Sequence, residues 1–133
     1  MPTEINFRLA DAEKPIILVP TFVNGRGPYD FVLDTGASVT VLSAALAQSI
    51  GIKSGGAKEG MGCGAGGKVE LSTGHVKSLA IGGAKQENLQ VAIADLSALS
   101  QAVGAQLEGI VGYNYLKDFK VTIDYSKTSL SLA

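Results

Sequence analysis

Short apolar runs, broken every few residues by glycine or a polar turn former, most constrain the fold of this chain. The sequence has 17 glycines in 133 residues, and most hydrophobic residues alternate with polar ones or stand in short blocks. Alternation with a period of two is typical of a strand with one buried face, and a short continuous block of a strand buried on both faces. The sequence therefore predicts a mainly β fold, in one domain spanning residues 1–133, with one or two short helices.

The same pattern places most of the strands. Residues 21–23 and 29–33 flank Asn24 and Gly25, and an Asn-Gly pair favours the positive φ angles of a tight hairpin turn. We therefore expect these two runs to pair. Further strands are predicted at residues 5–9, 16–19, 68–72, 75–81, 89–93, 119–125 and 130–132.

One short helix is predicted after residue 40. Thr40 or Ser43 can cap its start, and Gly51 can end it. The apolar residues at helical spacing are Val41, Leu42, Ala45, Leu46 and Ile50.

Composition excludes several kinds of site. Cys63 is the only cysteine and His75 the only histidine, so no intrachain disulfide can form and the usual zinc ligands are nearly absent. We therefore expect no metal and no other cofactor. Eleven basic and twelve acidic residues are scattered singly along the chain, which gives no basic surface for nucleic acid.

The hydrophobic pattern also argues against a membrane protein. No apolar run approaches the roughly 20 residues that a membrane-spanning helix needs. The first six residues lack the basic and then apolar layout of a secretory signal. We therefore expect a cytoplasmic protein with no membrane partner.

The glycine-rich stretch at residues 60–67, GMGCGAGG, has two interpretations. Its glycines fit the spacing G-x-G-x-x-G, which binds phosphate where a strand precedes it and a helix follows. Here a strand pattern follows, which favours a flexible β-hairpin tip. Cys63 and His75 offer a nucleophile and a base, but no neighbouring residue would lower the pKa of the thiol.

Residues 31–38, FVLDTGAS, stand out from this background. An apolar strand delivers Asp34 into a tight turn that contains Gly36. An ionised carboxylate at the end of an apolar run costs on the order of several kcal/mol unless neighbours donate hydrogen bonds to it, and glycine lets a backbone or a ligand approach closely. The simple alternative is a turn aspartate that caps its own backbone.

The segment resembles the active-site motif of aspartic proteases, in which two apolar residues precede Asp-Thr-Gly-Ala-Ser and a hairpin comes before them. Residues 109–116, GIVGYNYL, resemble a second element of that family, an apolar-apolar-Gly segment that crosses behind the catalytic loop and leads into a short helix. Its residues here are Ile110, Val111 and Gly112. The glycine-rich stretch lies between the two motifs, where the family places the flap that closes over substrate. Over about residues 15–132 the chain is similar to single-domain, retropepsin-like aspartic proteases of the bacterial type, which implies a closed β-barrel.

The resemblance implies a peptidase that works through two carboxylates. In that mechanism two carboxylates about 3 Å apart share one proton and activate a water that attacks the peptide carbonyl. Only one of the six aspartates, Asp34, stands in an Asp-Thr-Gly turn. The second carboxylate must then come from another copy, as in a symmetric homodimer. Peptides or proteins are the expected substrates.

The resemblance also assigns roles to neighbouring residues. Thr35, Gly36, Ala37 and Ser38 would support the active-site loop, with Thr35 bracing the two loops of a dimer against each other. Gly36 and Ser38 would offer polar contacts to the substrate backbone, and Ile110 would line the apolar side-chain pockets. The flap-tip candidates, also expected to bind substrate, are Met61, Gly62, Cys63 and Gly64.

The terminal strands, residues 3–9 and 129–132, are expected to interleave across the dimer because each has an apolar face that would otherwise be exposed to water. Retroviral enzymes form an ion pair between an acid and an arginine at the positions that Ser38 and Tyr113 occupy here, so this pair is missing. Two alternatives stay open: a weakly active or inactive peptide-binding module with the same fold, and a small β-barrel interaction domain unrelated to proteases.

Overall fold

Eleven strands and three short helices make up the computed structural model, which describes residues 3–11, 13–52, 57–64 and 67–133. For Lys14 and for residues 57–64 and 67–71, the description is limited to the backbone. The strands are β1 Thr3–Asn6, β2 Arg8–Asp11, β3 Lys14–Val23, β4 Arg26–Leu33, β5 Thr40–Ser43, β6 Ala57–Gly64, β7 Gly67–Ile81, β8 Ala84–Ala94, β9 Gly109–Val111, β10 Val121–Asp124 and β11 Ser129–Leu132. The helices are α1 Ala44–Ser49, α2 Ser97–Val103 and α3 Tyr113–Leu116.

The larger sheet closes on itself. Its strand order is β2-β3-β4-β9-β5-β8-β7-β6, and a further pairing between β3 and β7 joins six of these strands into a barrel. The hairpin between β3 and β4 turns at Asn24 and Gly25, whose φ angles of 53° and 78° are those that an Asn-Gly turn favours. The predicted mainly β fold with a closed barrel is confirmed.

The interior of the barrel is mostly apolar, and its largest side chains include one with a polar hydroxyl. Phe31 and Tyr115 are its two largest fully buried side chains. The Tyr115 hydroxyl donates a hydrogen bond to the Ala84 carbonyl oxygen at 2.6 Å. Burial raises the pKa of the phenol, so the hydroxyl stays protonated and remains a donor.

A second, smaller sheet has the order β1-β11-β10. Thr3–Asn6 pairs with Ser129–Leu132 of the same chain, and Leu130 and Leu132 are buried there. Buried side chains of these strands thus find cover within one chain, which weakens the reason for expecting them to interleave across a dimer; the interleaving itself stays a prediction. The strand predicted at residues 5–9 divides at buried Phe7 into β1, which joins the small sheet, and β2, which joins the barrel.

The predicted helix begins later than its spacing suggested. Val41 and Leu42 lie in β5, which pairs with β8 on one side and β9 on the other. The helix α1 starts after Ser43, whose Oγ accepts a hydrogen bond from the Leu46 amide at 3.1 Å, and Gly51 follows its end with φ 75°. Pairing with two strands overrides local helical spacing here. The sequence prediction missed α2, in which only Val103 is buried, so its apolar periodicity is weak.

The parallel strands β4 and β9 meet at a glycine that leaves no room for a side chain. Phe31 pairs with Gly109, and a Cβ on Gly109 would collide with the Phe31 ring and lie 2.6 Å from the Val41 carbonyl oxygen. Overpacking of a filled core typically costs roughly 1–3 kcal/mol.

No helix in the described ranges is both long and apolar enough to cross a membrane.

We predict that Gly109→Ala lowers the free energy of unfolding by roughly 1–3 kcal/mol, because backbone on one side and a buried ring on the other cannot both move away. Chemical denaturation followed by circular dichroism measures this. The control is Gly83→Ala, where the nearest atom is the Thr3 Oγ1 at 3.2 Å on a side chain that can rotate. Equal unfolding midpoints for the two variants would contradict the prediction.

Candidate active site

An apolar cleft of about 420 Å³ opens at the carboxyl end of β4. Asp34 is the only carboxylate among the described residues that line it. The other lining residues are Pro15, Ile16, Ile17, Val32, Leu33, Thr35, Leu99, Val103, Ile110, Ile123 and Tyr125. The cleft therefore presents one exposed acid against an apolar wall, which suits a reacting group beside bound apolar side chains.

The backbone fixes where Asp34 stands. Leu33 is buried and pairs with Val111 in β9, and the Asp34 amide donates to the Val111 carbonyl oxygen at 3.1 Å. After Asp34 the chain turns sharply: the Gly36 amide donates to the Asp34 Oδ1 at 2.9 Å, and the Ala37 amide donates to the Asp34 carbonyl oxygen at 3.1 Å. The aspartate thus caps its own turn through Oδ1, while its Oδ2 has no hydrogen-bond partner in the described part of the chain.

The second motif holds this turn from behind. The Tyr113 amide donates to the Ala37 carbonyl oxygen at 2.7 Å. A Cβ on Gly112 would lie 2.5 Å from the Val39 carbonyl oxygen and 3.0 Å from that of Ala37. Only glycine lets the two segments come this close.

A buried hydroxyl ties the two segments together. The Thr40 Oγ1 accepts from the Gly112 amide at 3.1 Å and donates to the Asn114 Oδ1 at 2.8 Å. The same oxygen of Asn114 accepts from the Thr40 amide at 2.8 Å, and its Nδ2 donates to the Gln90 carbonyl oxygen at 2.6 Å. Asn114 therefore links β5 to β8 behind the Asp34 turn.

Sequence reasoning missed this brace. It considered Thr40 only as a helix cap and gave Asn114 no role. The sequence did contain a signal for it. Thr40, which has a hydroxyl, stands just before the apolar pair Val41-Leu42, and Asn114, which has an amide, stands two residues after Gly112. Such a signal is weak, because the two residues are 74 positions apart.

The structure brings some of the predicted site residues together and leaves others apart. Ile110 and Thr35 line the cleft with Asp34, and Thr35 is exposed. Ser38 is also exposed but does not line this cleft. Val111 is buried and supports Asp34 through its carbonyl oxygen.

The flap-tip candidates Met61, Gly62, Cys63 and Gly64 lie in β6, and their side chains fall outside the described part of the structure. Their backbone pairs with β7 in an antiparallel hairpin, with Gly62 opposite Val69 and Cys63 opposite Lys68. Strands on both sides of the glycines are the arrangement of a hairpin, not the strand and helix of a dinucleotide site. Contact of this hairpin with substrate stays a prediction.

We predict that Thr40→Val lowers the free energy of unfolding by about 1–3 kcal/mol, because the Gly112 amide and the Asn114 Oδ1 each lose a buried partner. Thr40→Ser keeps the hydroxyl and should cost less. A matched control is Thr21→Val, since the fully buried Thr21 makes a single local hydrogen bond to the Val19 carbonyl oxygen at 3.2 Å. Denaturant titration of the three variants checks this order, and an effect of Thr40→Val no larger than that of Thr21→Val would refute it.

Many solved structures share this fold, and three of them are described below. A retropepsin-like aspartic protease from Rickettsia conorii is 22% identical with a TM-score of 0.67, over 99% of this chain and 91% of that one. EIAV protease, in complex with the inhibitor HBY-793, is 25% identical with a TM-score of 0.56, over 81% and 90%. The retroviral protease-like domain of Ddi1 from Leishmania major is 18% identical with a TM-score of 0.59, over 88% and 87%.

The sequence itself matches a family as well. A search of proteins with curated functions gave no significant match. The model of the aspartyl protease family matches residues 19–115, a range that contains both the Asp34 turn and the Gly112 segment. The chain therefore belongs to the aspartyl protease family and has the retropepsin-like fold.

Proposed function

We propose that residues 1–133 form one catalytic domain and that the chain is an aspartic endopeptidase whose dyad consists of Asp34 from two subunits. The observation that carries this proposal is the position of Asp34. It is an exposed acid at the end of a buried strand, it faces an apolar cleft, and its Oδ2 has no partner among the described residues. An acid placed only to cap a turn has no need of such a cleft.

The need for a second subunit follows from the chemistry. Two carboxylates about 3 Å apart cannot both ionise, so they share one proton and act as base and acid at the same pH. The described lining of the cleft offers one carboxylate. A two-fold axis that passes beside Asp34 supplies the other from an identical residue.

The reaction then needs no covalent intermediate. The ionised Asp34 takes a proton from a bound water, and the water oxygen attacks the carbonyl carbon of the scissile bond. The protonated Asp34 of the partner subunit donates its proton to the carbonyl oxygen, which gives a neutral tetrahedral diol. The carbon–nitrogen bond then breaks as the protonated Asp34 gives its proton to the leaving nitrogen and the ionised Asp34 of the partner subunit takes a proton from one diol hydroxyl. The products are a carboxylic acid and an amine, and the dyad returns to its starting state.

The surroundings of Asp34 serve this chemistry. The Gly36 amide fixes one carboxylate oxygen of Asp34, which leaves the other available for the reaction. The half-buried Ile110 and its apolar neighbours would take up hydrophobic side chains on either side of the scissile bond. The substrates proposed are therefore extended peptides with apolar residues at the cleavage point.

We predict that Asp34→Asn lowers kcat by at least about 10²- to 10⁴-fold, the usual contribution of an acid–base group. Mass spectrometry of a mixed peptide library, incubated between acid and neutral pH, measures cleavage. A statine-type inhibitor should block the wild-type protein. Asp11→Asn, an exposed change outside the cleft, is the control and should keep full activity. Equal cleavage by wild type and Asp34→Asn would sink the assignment, and a folded dimer that binds peptides without cleaving them would indicate the peptide-binding module instead.

We also predict that Asp34→Asn subunits poison the wild-type protein when the two are mixed. With random exchange at a ninefold excess of the variant, about one wild-type subunit in ten finds a wild-type partner, so activity per wild-type subunit falls about tenfold. The readout is peptide cleavage after the subunits have exchanged, with bovine serum albumin added in place of the variant as the control. Unchanged activity would mean that one chain contains a complete site.

A further inference from the structure

The small sheet leaves one edge of β10 unpaired. β11 lies between β1 and β10, and no other described strand pairs with either outer edge. Unpaired edges of this kind are templates for pairing with another chain unless charge or cover prevents it. Two edges, those of β1 and β10, are therefore candidates for contact with a second copy.

The hydrogen-bond alternation shows which groups face outward from β10. Lys120 and Ala133 exchange both main-chain hydrogen bonds, at 2.8 Å and 3.1 Å. In an antiparallel pair such residues alternate with residues whose amide and carbonyl groups point away from the partner strand. Thr122 therefore bonds to β11, whereas Val121 and Ile123 direct their main-chain groups to the free edge.

The position of the cleft selects β10 over β1. Ile123 of β10, and Tyr125 just after it, line the cleft that holds Asp34. In β1, by contrast, Thr3 and Ile5 pack against the turn at Gly82, where they fill the space that a Cβ would occupy. A two-fold axis that brings two copies of Asp34 together must pass close to the cleft, and hence close to β10.

The sequence around β10 is complementary to itself. Residues 120–124 read Lys-Val-Thr-Ile-Asp, and their even-numbered side chains share one face of the strand. If two copies run antiparallel with Thr122 opposite Thr122, then Lys120 stands opposite Asp124 twice, and Val121 opposite Ile123 twice. Opposite charges directly across a strand pair are stabilising.

Both charged groups are free to make these contacts. Lys120 is exposed and makes no ion pair within the described ranges. The Asp124 Oδ1 accepts from the Ser126 Oγ at 2.7 Å and from the Lys127 amide at 3.1 Å, which leaves its Oδ2 available. These hydrogen bonds lower the pKa of the Asp124 carboxyl, and the bond from Ser126 has the largest effect. The carboxyl is therefore charged at neutral pH.

We propose that two copies of this chain dimerise through β10, paired antiparallel about a two-fold axis at Thr122, so that the two small sheets form one six-stranded sheet beside the two Asp34 turns. The inference rests on the proposed function, since the need for a second Asp34 places the axis near the cleft. Four main-chain hydrogen bonds, from Val121 and Ile123 of each subunit, and two Lys120–Asp124 pairs hold the subunits together.

Disulfide trapping tests the register. In a Cys63→Ala background, Thr122→Cys places two thiols in a non-hydrogen-bonded pair, with Cα atoms about 4.5 Å apart, within the range that a disulfide spans. The matched control is Ser131→Cys, which lies opposite Thr122 on β11 but about 14 Å from its own copy, three strand spacings away. We expect a covalent dimer on a non-reducing gel for Thr122→Cys and none for Ser131→Cys. A wild-type dimer that neither variant traps, or that Ser131→Cys traps better, would overturn the proposal.

Charge reversal tests the pairing. Lys120→Glu turns two attractive pairs into repulsive ones. The dimer dissociation constant measured by sedimentation should therefore rise about tenfold or more. Asp124→Lys should do the same, although it also removes the cap at Ser126 and Lys127. The double variant Lys120→Glu/Asp124→Lys restores both pairs and should dimerise better than Asp124→Lys alone, as should a mixture of the two single variants. Circular dichroism checks folding, and no weakening by Lys120→Glu would overturn the proposal.

The two proposals fail in different ways. If the wild-type protein cleaves peptides as a dimer but Lys120→Glu dissociates no more easily, the interface is wrong and the catalytic proposal stands. If Thr122→Cys is trapped as a dimer but the wild-type protein cleaves nothing, the interface stands and the peptidase is wrong. Activity of Lys120→Glu that recovers at high protein concentration would support both.

Discussion

The close crossing of the Gly112 segment behind the Asp34 turn is the contact on which the rest of the site depends. The Tyr113 amide bonds the Ala37 carbonyl oxygen, and the Gly112 amide bonds the Thr40 hydroxyl. Buried amides and carbonyls without partners cost free energy comparable to a lost hydrogen bond, so each of these contacts satisfies a group that the crossing buries. The result is a turn held by main-chain atoms on a rigid barrel, and such support keeps a reacting carboxylate in position.

The contact between the two segments does not depend on charged side chains. Ser38 and Tyr113, the positions at which the family resemblance would place an acid and an arginine, are uncharged and exposed. The contact between the two segments instead uses the Tyr113 amide, which any residue other than proline provides, together with the buried Thr40 and Asn114. Neutral hydrogen bonds around the buried Thr40 therefore hold the two segments, and a surface ion pair there would add little.

In the proposed dimer, catalysis and assembly are linked because each subunit supplies half of the site. The described lining of the cleft is mostly apolar and holds one carboxylate, and β10 borders it. Because the terminal strands pair within one chain, the proposed second subunit would use an edge that this pairing leaves open. In that proposal, the opposite charges of Lys120 and Asp124 make the edge of β10 complementary to a second copy of itself.

Much of the fold could be predicted from the sequence because its signals are local. The hairpin at Asn24 and Gly25 follows from the φ angles those residues favour, and the Asp34 turn from Asp-Thr-Gly after an apolar strand. The start of α1 at Ser43 was likewise among the local possibilities. Two short local motifs likewise led to the aspartic protease resemblance, and both lie inside the range that the family model matches.

The sequence by itself thus determined the strand pattern, the position of Asp34 as the one aspartate in an Asp-Thr-Gly turn, and the turn that presents it. Only the tertiary structure decided that Val41 and Leu42 form a strand, that Asn114 braces the site and that the terminal strands pair within one chain. The physical reason is the range of the interactions. Turn and capping preferences act between neighbours, whereas the choice of a strand's partner depends on residues far apart in the chain, such as Thr40 and Asn114, 74 positions apart.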